Sequence, residues 1–246
     1  MKLRAAARSD VGLRRAANED AFALAPALGL YLVADGMGGH VAGQLASQLA
    51  ANGTVEAFQT VAERDAELTE KLRYCVAFAN HHIYSTAQQK PEVKGMGTTL
   101  VALLAGDGRL ALAHVGDSRA YLVRAGKIRQ LTDDHSLVAE LVRRKELSAE
   151  DAKGHPHRHV LTRALGVRRE VEADLAELTA TEGDTVVLCS DGLTNHVSDD
   201  EIAEFASASD DLDQNCVSLV GLANERGGED NITVALVRCD DPGTAD

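Results

Sequence analysis

One segment constrains the fold and the chemistry of this chain more than any other. Residues 35–40 read DGMGGH and directly follow the apolar run LYLVA at residues 30–34. A buried strand is therefore expected to end on the Asp35 carboxylate and to turn through glycines, which let the backbone approach a ligand closely. A carboxylate beside exposed backbone carbonyls can hold a hard metal ion, but Asp-Gly is also a common turn dipeptide. Both interpretations stay open on this segment alone.

The length and composition indicate one folded domain with an acidic surface. The 246 residues suit one large domain or two small ones, 45% of them are hydrophobic, and no linker or repeat divides the chain. We therefore predict a single catalytic domain over residues 1–240, followed by a polar tail at 241–246. The net charge of -13 argues against non-specific binding of nucleic acid or of an anionic membrane. It also means that a phosphate would need local cations in order to bind.

The cysteines and the hydropathy pattern bear on location. The 4 cysteines are far apart and form no CxxC pair, which gives no support to a zinc knuckle or a redox pair. The N-terminus lacks a signal-peptide pattern, and no segment offers about 18 uninterrupted apolar residues. We therefore expect a reduced, cytoplasmic location without a membrane span.

Apolar periodicity predicts strands and helices in blocks rather than in strict βαβ alternation, which favours mixed antiparallel sheets with helices packed outside. A helical hairpin is expected over residues 41–62 and 66–88. An antiparallel meander, with hairpin turns at 106–108, 116–118 and 125–127, is expected from the strands 98–104, 109–115 and 119–123. The other predicted strands are 2–9, 21–24, 28–34, 171–178, 184–190 and 232–239, and the other predicted helices are 136–145, 148–153, 199–208 and 212–226.

Several further acids share the context of Asp35, because they stand at strand ends or in adjoining turns. They are Glu19, Asp20, Asp117, Asp191 and Asp230. Strands of one core can bring such ends together, and the carboxylates would then repel one another unless cations bind. Oxygen ligands select Mg²⁺ or Mn²⁺ over Zn²⁺, and a carboxylate that bridges two such ions is typical of phosphoester hydrolases. Taken singly, Asp117 and Asp230 fit a turn residue or a helix N-cap better.

The histidines are less informative than the acids. His155, His157 and His159 alternate around Pro156, but without spaced cysteine or acidic partners they indicate a solvated loop rather than a zinc site. His114 is expected to be a strand residue rather than a ligand.

Eight segments, taken together, resemble the metal-dependent protein serine/threonine phosphatases of the 2C type, particularly their short bacterial members. The segments follow the order found in the family and span nearly the whole chain. They are RAANED at 15–20, VADGMGGH at 33–40, GTTL at 97–100, HVGDSR at 114–119, LTDDHS at 131–136, VLTRALG at 160–166, CSDGL at 189–193 and DNIT at 230–233.

The resemblance implies an α+β fold in which a central sandwich of two antiparallel β-sheets is flanked by helix pairs. The helical hairpin at residues 41–88 would cover one sheet, and the later helices would cover the other. Residues 137–158 would form a flap near the site, a part of the family whose sequence varies.

The resemblance also implies two or three bound Mn²⁺ or Mg²⁺ ions. Asp35 would bridge two of the ions, and the carbonyl of Gly36 would ligate one of them. Asp191 and Asp230 would complete the first metal site. The three acids among these implied ligands are also acids that stand at predicted strand ends.

The remaining implied roles concern waters, a third ion and the substrate. Glu19 and Asp20 would hold metal-bound waters, and Asp117 would contribute to a third, weaker metal site. Arg15 would bind the substrate phosphate, a task that suits the guanidinium fork. Only its spacing, three residues before Asn18, selects Arg15 over the adjacent Arg14.

The implied reaction is a direct attack of metal-activated water on phosphoserine or phosphothreonine, with Arg15, Asp35, Asp191 and Asp230 as the catalytic residues. One departure from the family matters. Some eukaryotic members carry a histidine, the proposed general acid, where this chain has Met37. Methionine cannot donate a proton, so a metal-bound water or a nearby histidine would have to do so. His40 is a candidate donor by its proximity in the sequence alone.

The leading hypothesis is therefore a metal-dependent phosphatase that acts on phosphorylated proteins and reverses the signalling of a serine/threonine kinase. A pseudophosphatase that only binds a phosphoprotein would be expected to lack part of the metal set, which is complete here. A phosphohydrolase of small metabolites would act on free phosphoesters but not on phosphoproteins. A structural module whose acids are turn residues would show no metal dependence. The oligomeric state is not readable from the sequence.

Overall fold

A computed structural model describes residues 2–106 and 108–240, apart from the side chains of His40 and Lys153. The predicted tail at 241–246 and Asp107 of one predicted turn lie outside the described residues. The strands are β1 (Lys2–Asp10), β2 (Asp20–Ala25), β3 (Leu30–Met37), β4 (Gly97–Thr98), β5 (Leu100–Gly106), β6 (Arg109–Val115), β7 (Arg119–Arg124), β8 (Lys127–Gln130), β9 (Asp174–Thr179), β10 (Thr185–Cys189) and β11 (Ile232–Asp240). The helices are α1 (His40–Val61), α2 (Leu68–Gln89), α3 (Leu137–Arg143), α4 (Ala149–Lys153), α5 (Asp191–Thr194), α6 (Asp199–Ala206) and α7 (Leu212–Glu225).

The strands form two sheets, and the neighbouring strands described below all pair antiparallel. Sheet I has the strand order β1-β11-β10-β7-β8. Sheet II has the order β2-β3-β5-β6-β9, and the two-residue strand β4 pairs with the end of β3. Because the first strand of sheet I pairs with the last strand of the chain, the two ends of the described chain lie side by side.

The central strand β3 shows how the layers are built. Successive side chains of a strand point to opposite faces, and here both faces are buried. Tyr31 and Val33 pack into the core between the two sheets, whereas Leu30 and Leu32 pack into the core beneath α1 and α2. A strand covered on both sides has to be apolar throughout, which accounts for the continuous run at residues 30–34.

The other face of sheet I is covered in the same way. Val187 of β10 and Leu236 of β11 pack with Ile202 of α6 and Leu219 of α7 in a third core. The molecule is therefore a four-layer stack of helices, sheet II, sheet I and helices. This architecture confirms the predicted α+β sandwich and the predicted place of the helical hairpin α1–α2.

The predicted meander is wrong at its last step. β5 and β6 pair in sheet II as expected, but β7 belongs to sheet I, so the turn at Gly116 carries the chain from one sheet to the other. Gly116 has φ +111, and a Cβ there would lie 2.6 Å from the Cβ of Thr99. A strand that is buried on both faces lacks an alternation of apolar and polar residues. Its sequence therefore does not indicate which sheet it joins, and this explains the error.

Smaller differences lie in polar segments. The predicted turn at 125–127 is a hairpin in which Arg124 pairs with Lys127, and Ala125 and Gly126 both have positive φ, but the strand β8 that follows was not predicted. Its four residues, KIRQ, form a polar edge with little apolar signal. The strand predicted from residue 171 begins only at Asp174.

The predicted flap contains α3 and α4 and is tied to the sandwich at its base. Leu137 N donates to Val160 O over 2.8 Å, and Thr162 N donates to His135 O over 2.8 Å. Among the described residues, none of the helices is both long enough and apolar enough to span a bilayer.

Candidate functional site

Both sheets send acidic side chains to the same end of the sandwich. In sheet II, Asp20 of β2 and Asp35 of β3 are directly opposite each other in the strand register. In sheet I, Asp191 follows β10 and opens α5, and Asp230 stands just before β11. Because β10 and β11 are antiparallel neighbours, the end of one and the start of the other lie together.

The electrostatics agree with this placement. The pKa of Asp35 is raised well above its ordinary value, first by burial and then by the negative charge of four other carboxylates. These are Asp20, Asp191, Asp117 and Asp230. The structure therefore brings together five of the acids that the sequence singled out.

Asp20 joins the two sheets through its carboxylate. Its Oδ2 accepts hydrogen bonds from Ser190 Oγ at 2.8 Å and from Thr233 Oγ1 at 2.7 Å, both in sheet I or its immediate extension. Burial raises the pKa of Asp20 to about 7, against the effect of these two hydrogen bonds. Within the described residues, Oδ1 of Asp20 and Oδ1 of Asp191 are buried without a hydrogen-bond partner. Buried oxygens of this kind are costly unless a cation or a donor reaches them.

Asp191 receives a contact from the loop that follows the flap helices. Its Oδ2 lies 3.7 Å from Nδ1 of His159. Burial acts to raise the pKa of Asp191, but interactions with His159, Asn195 and Asp35 outweigh it and hold that pKa below its ordinary value. One histidine of the predicted solvated loop therefore lies against the acid cluster.

Glu19 packs closely against a glycine of α1. The Glu19 side chain is buried, and a Cβ at position 43 would overlap its Oε2. A Cβ at Gly36 would overlap the carbonyl oxygen of Gly43 and lie 2.6 Å from that of Glu19. Two glycines therefore allow the first turns of α1, the end of β3 and Glu19 to meet, even though glycine weakens a helix interior.

The backbone around Asp35 is fixed by two threonines. Thr98 Oγ1 donates to Asp35 O over 2.8 Å, Thr99 N donates to the same oxygen over 2.9 Å, and Asp35 N donates to Thr99 Oγ1 over 2.9 Å. Thr99 Oγ1 is also 2.6 Å from Ser118 Oγ. This chain of hydrogen bonds links the end of β3 to the turn that carries Asp117.

Asp117 lies in the turn between the two sheets. Its pKa is raised well above the ordinary value by burial, and then by the charges of Asp191 and Asp134. The turn is also held from the base of the flap, where the Gly116 N–H donates to Nδ1 of His135 over 3.0 Å and His135 Nε2 lies 3.1 Å from Asp174 Oδ2.

Arg15 supplies the cation of the site. Its Nη2 donates to Asp230 Oδ2 over 2.7 Å, and about half of its side chain stays exposed. Burial acts to lower the pKa of Arg15, but the hydrogen bond and the charge of Asp230 outweigh it and raise that pKa. A guanidinium carries five N–H donors, so the bond to Asp230 leaves donors for an anion.

The residues present fit a hard divalent cation. The donors are carboxylate and carbonyl oxygens, which Mg²⁺ and Mn²⁺ prefer. Among the described residues, two of the buried carboxylate oxygens have no hydrogen-bond partner. Among the described residues, no three acid, histidine or cysteine side chains already converge as a complete ligand set. The fit therefore rests on charge, burial and donor chemistry.

The sequence comparison decides the family. The model of the family described as protein phosphatase 2C matches residues 14–224. The chain belongs to the protein phosphatase 2C family. It is 43% identical over 238 residues to the serine/threonine phosphatase Stp of Listeria monocytogenes, an alignment that covers 95% of this chain and 94% of that protein.

Solved structures of phosphatases 2C agree in fold. The crystal structure of the serine/threonine phosphatase PstP of Mycobacterium tuberculosis is 40% identical, with a TM-score of 0.88, and the match covers 97% of this chain and 99% of that one. A structure of the PstP catalytic domain in complex with two manganese ions is 39% identical, with a TM-score of 0.86 and coverage of 97% and 99%. The predicted family and fold are confirmed.

The roles of the single residues in this phosphatase 2C chain stay predictions. Asp20, Asp35, Asp117, Asp191 and Asp230 are brought together as expected. Glu19, Gly36 and Arg15 border the same end of the sandwich. The side chain of His40, the candidate proton donor, lies outside the described residues. His114 is a buried residue of β6, as predicted, and burial lowers its pKa to about 3.

Sequence reasoning missed the residues that support the acids. Gly43, His135, His159 and Asn231 all contact the site or its loops, and none was assigned a role. Asn231 and His135 stand inside segments that carried the family resemblance, so a signal was present for these two. Gly43 sits in an ordinary helical pattern, and nothing in the sequence marks its contact with Glu19.

Proposed function

We propose that this chain is a metal-dependent serine/threonine protein phosphatase whose single catalytic domain spans residues 1–240. The observation that carries the proposal is the meeting of five carboxylates from both sheets with the half-exposed guanidinium of Arg15. The acids provide a place for cations, and the cations together with Arg15 provide a place for a phosphate in a chain whose net charge is -13.

The proposed metal ligands are those that the family resemblance implies, and the placement of the acids supports them. Asp35 pairs with Asp20 in the strand register and its pKa is raised by the charges of four other carboxylates, which supports its proposed role as the acid that would contact both of two Mn²⁺ or Mg²⁺ ions. The Gly36 carbonyl, Asp191 and Asp230 would hold the first ion. When bound, such ions lower the pKa of a water molecule and offset the charge on phosphate oxygens.

The remaining acids support the two ions or bind a third. Glu19 and Asp20 are buried beside the bridge and would orient waters through their carboxylates. Asp117 lies in the turn that links the two sheets and is the proposed ligand of a third ion. Cations bound beside Asp35 and Asp117 would lower the raised pKa values of these two acids.

Arg15 is the proposed phosphate ligand. It is held by Asp230 at 2.7 Å, and its planar fork suits two phosphate oxygens. Met37 cannot protonate the leaving serine or threonine oxygen. His40 begins α1 immediately after the glycine turn and stays the candidate donor.

The proposed substrates are proteins phosphorylated on serine or threonine by a serine/threonine kinase, so the enzyme would reverse kinase signalling. The relatives in Listeria and Mycobacterium carry the name serine/threonine phosphatase, which supports this class. The four cysteines are free thiols buried in the fold, which supports a reducing cytoplasmic location. The acidic net charge gives no basis for a nucleic-acid substrate.

One assay tests the proposed function. Phosphate release from a phosphothreonine peptide is measured with Mn²⁺, with EDTA, and with Asp35→Asn and Asp191→Asn. We expect activity only with the wild-type chain and Mn²⁺. Full activity in EDTA would contradict the metal mechanism. Turnover of p-nitrophenyl phosphate without any turnover of phosphopeptides or phosphoproteins would indicate a metabolite phosphohydrolase instead.

A further inference from the structure

The side-chain amide of Asn231 is buried, and both its oxygen and its nitrogen are hydrogen-bonded. The residue is 5% exposed. Its Oδ1 accepts from Glu19 N at 2.8 Å, and its Nδ2 donates to Val11 O at 2.9 Å and to Ala17 O at 3.0 Å. An amide has two N–H donors, and here each donor goes to a different backbone carbonyl.

The two carbonyls stand near the two ends of one loop. Residues 11–19 connect β1 to β2, and Arg15 lies in the middle of this loop. Val11 and Ala17 flank Arg15 on either side, and Glu19 is the last residue before β2. The side chain of Asn231 therefore ties together the ends of the loop that presents the proposed phosphate ligand.

The middle of the loop rests on the segment just before Asn231. Leu13 N donates to Gly228 O over 2.7 Å, and Arg14 N donates to the same oxygen over 3.2 Å. A Cβ at Gly12, whose φ is +77, would overlap the carbonyl oxygen of Asp230. The loop thus lies in close backbone contact with residues 228–230, and Arg15 reaches Asp230 from it.

We propose that Asn231 is a positioning residue for phosphate binding, because its amide holds the loop in the shape that places Arg15 beside Asp230. The proposal rests on the proposed role of Arg15. Removal of the amide would leave the Glu19 N–H and the Val11 and Ala17 carbonyls without this partner, and the loop would then sample shapes in which Arg15 points away from the phosphate. The cost would fall on substrate binding more than on turnover.

A buried amide elsewhere in the chain offers a matched control. Asn215 is 2% exposed, and its Nδ2 donates to Ser209 O at 3.0 Å and to Ala206 O at 3.4 Å, while its Oδ1 lies 2.9 Å from Ser209 Oγ. It has the same number of contacts as Asn231, but they hold the connection between α6 and α7. Asn215→Ala therefore reports the effect of losing a buried amide without touching the Arg15 loop.

A double-mutant cycle tests the proposal. KM and kcat for a phosphothreonine peptide are measured with Mn²⁺ for wild type, Asn231→Ala, Arg15→Ala and the double variant. We expect Asn231→Ala alone to raise KM about fivefold, with kcat changed less than twofold. In the Arg15→Ala background, the same substitution is expected to change KM by less than about 1.5-fold, because Asn231 then has no side chain left to position.

Two companion measurements separate positioning from general damage. Mn²⁺ affinity from isothermal titration calorimetry should stay within about twofold of wild type in Asn231→Ala. Asn215→Ala should lower the thermal midpoint while leaving KM unchanged. If Asn231→Ala does not fold, Asn231→Ser, whose hydroxyl restores one donor, takes its place in the cycle.

The outcomes are distinct. An equal rise in KM from Asn231→Ala in both backgrounds, or no rise in either, would overturn the positioning role while leaving the phosphatase assignment intact. A KM that Arg15→Ala leaves at the wild-type value would instead overturn the role of Arg15 in the proposed function. A rise in KM for Asn215→Ala equal to that for Asn231→Ala would also overturn the proposal, since any lost buried amide would then have the same effect.

Discussion

Arg15 and Asp230 form an ion pair in which 2.7 Å separates Nη2 from Oδ2. The pair joins the proposed phosphate ligand to a proposed metal ligand, and 47% of the arginine side chain and 27% of the aspartate side chain stay exposed. In the proposed site, a single carboxylate would therefore contact both the phosphate ligand and a metal ion. A test of the phosphate role through Arg15 therefore has to include Mn²⁺ affinity, which reports whether the loss of Arg15 disturbs Asp230.

Arg15→Ala is expected to raise KM for a phosphothreonine peptide about tenfold or more, because charged hydrogen bonds to the phosphate are lost. Mn²⁺ affinity should change little, since Arg15 is not a proposed metal ligand. Arg15→Lys keeps the charge without the fork and should fall between wild type and alanine. Steady-state kinetics and titration calorimetry provide the two readouts, and an unchanged KM would refute the anion role.

Gly43→Ala is expected to reduce both stability and activity, although alanine is the better helix former. A Cβ at position 43 would overlap Oε2 of Glu19, so the buried carboxylate would have to move. The control is Gly221→Ala in α7, where a Cβ meets open space and a gain of about 0.5–1 kcal/mol is expected. Urea denaturation and kcat are compared for both variants; a Gly43→Ala protein as stable and active as wild type would contradict the close approach.

The protein in EDTA is expected to lose stability as the pH rises from about 4 to about 7. Burial raises the pKa of Asp20 from 3.8 to about 7, so the folded state keeps a proton that the unfolded state has released. The free energy of unfolding therefore falls across this interval, by up to about 4 kcal/mol from Asp20. Urea denaturation at several pH values should show a weaker dependence in Asp20→Asn. An identical slope in the two proteins would count against the raised pKa.

Arg119→Met is expected to lower the free energy of unfolding by about 3 kcal/mol, because it strands a largely buried carboxylate. Arg119 donates to Asp134 through Nε at 2.9 Å and through Nη2 at 2.7 Å, and only 15% of the Asp134 side chain is exposed. The control, Arg73→Met, removes an exposed pair with Glu70 and should cost about 0.5 kcal/mol or less. Equal losses of unfolding free energy in the two variants, measured by urea denaturation, would show that burial of the Arg119–Asp134 pair adds nothing to stability.

Most of the fold follows from local patterns in the sequence. The helical hairpin α1–α2 and the buried strand β3 carry long, regular apolar periods, and their bounds differ by only a few residues from those expected. The error at Gly116 has a different origin. Local pattern determines that β6 and β7 are strands, but the choice of sheet depends on partners distant in the chain, since β7 pairs with β10 and β8.

The acids of the site could be predicted because each stands at the end of a strand, where the chain turns and side chains become accessible to a ligand. Their supports could not. The overlap of Gly43 with Glu19 and the bonds from Asn231 to Ala17 join residues whose sequence neighbours give no sign of the contact. Such contacts depend on the final packing of α1 and of the loop before β2, which only the folded chain defines.

Asp20 belongs to sheet II yet is hydrogen-bonded to Ser190 and Thr233 on the side of sheet I. The spacing of the acids is therefore a measure of how the two sheets are aligned. Leu103 and Leu188 pack in the core between the sheets, so a change of volume there would act on this alignment without touching any of the acids. The hydrophobic interior between the sheets is thus part of what sets the geometry of the acid cluster.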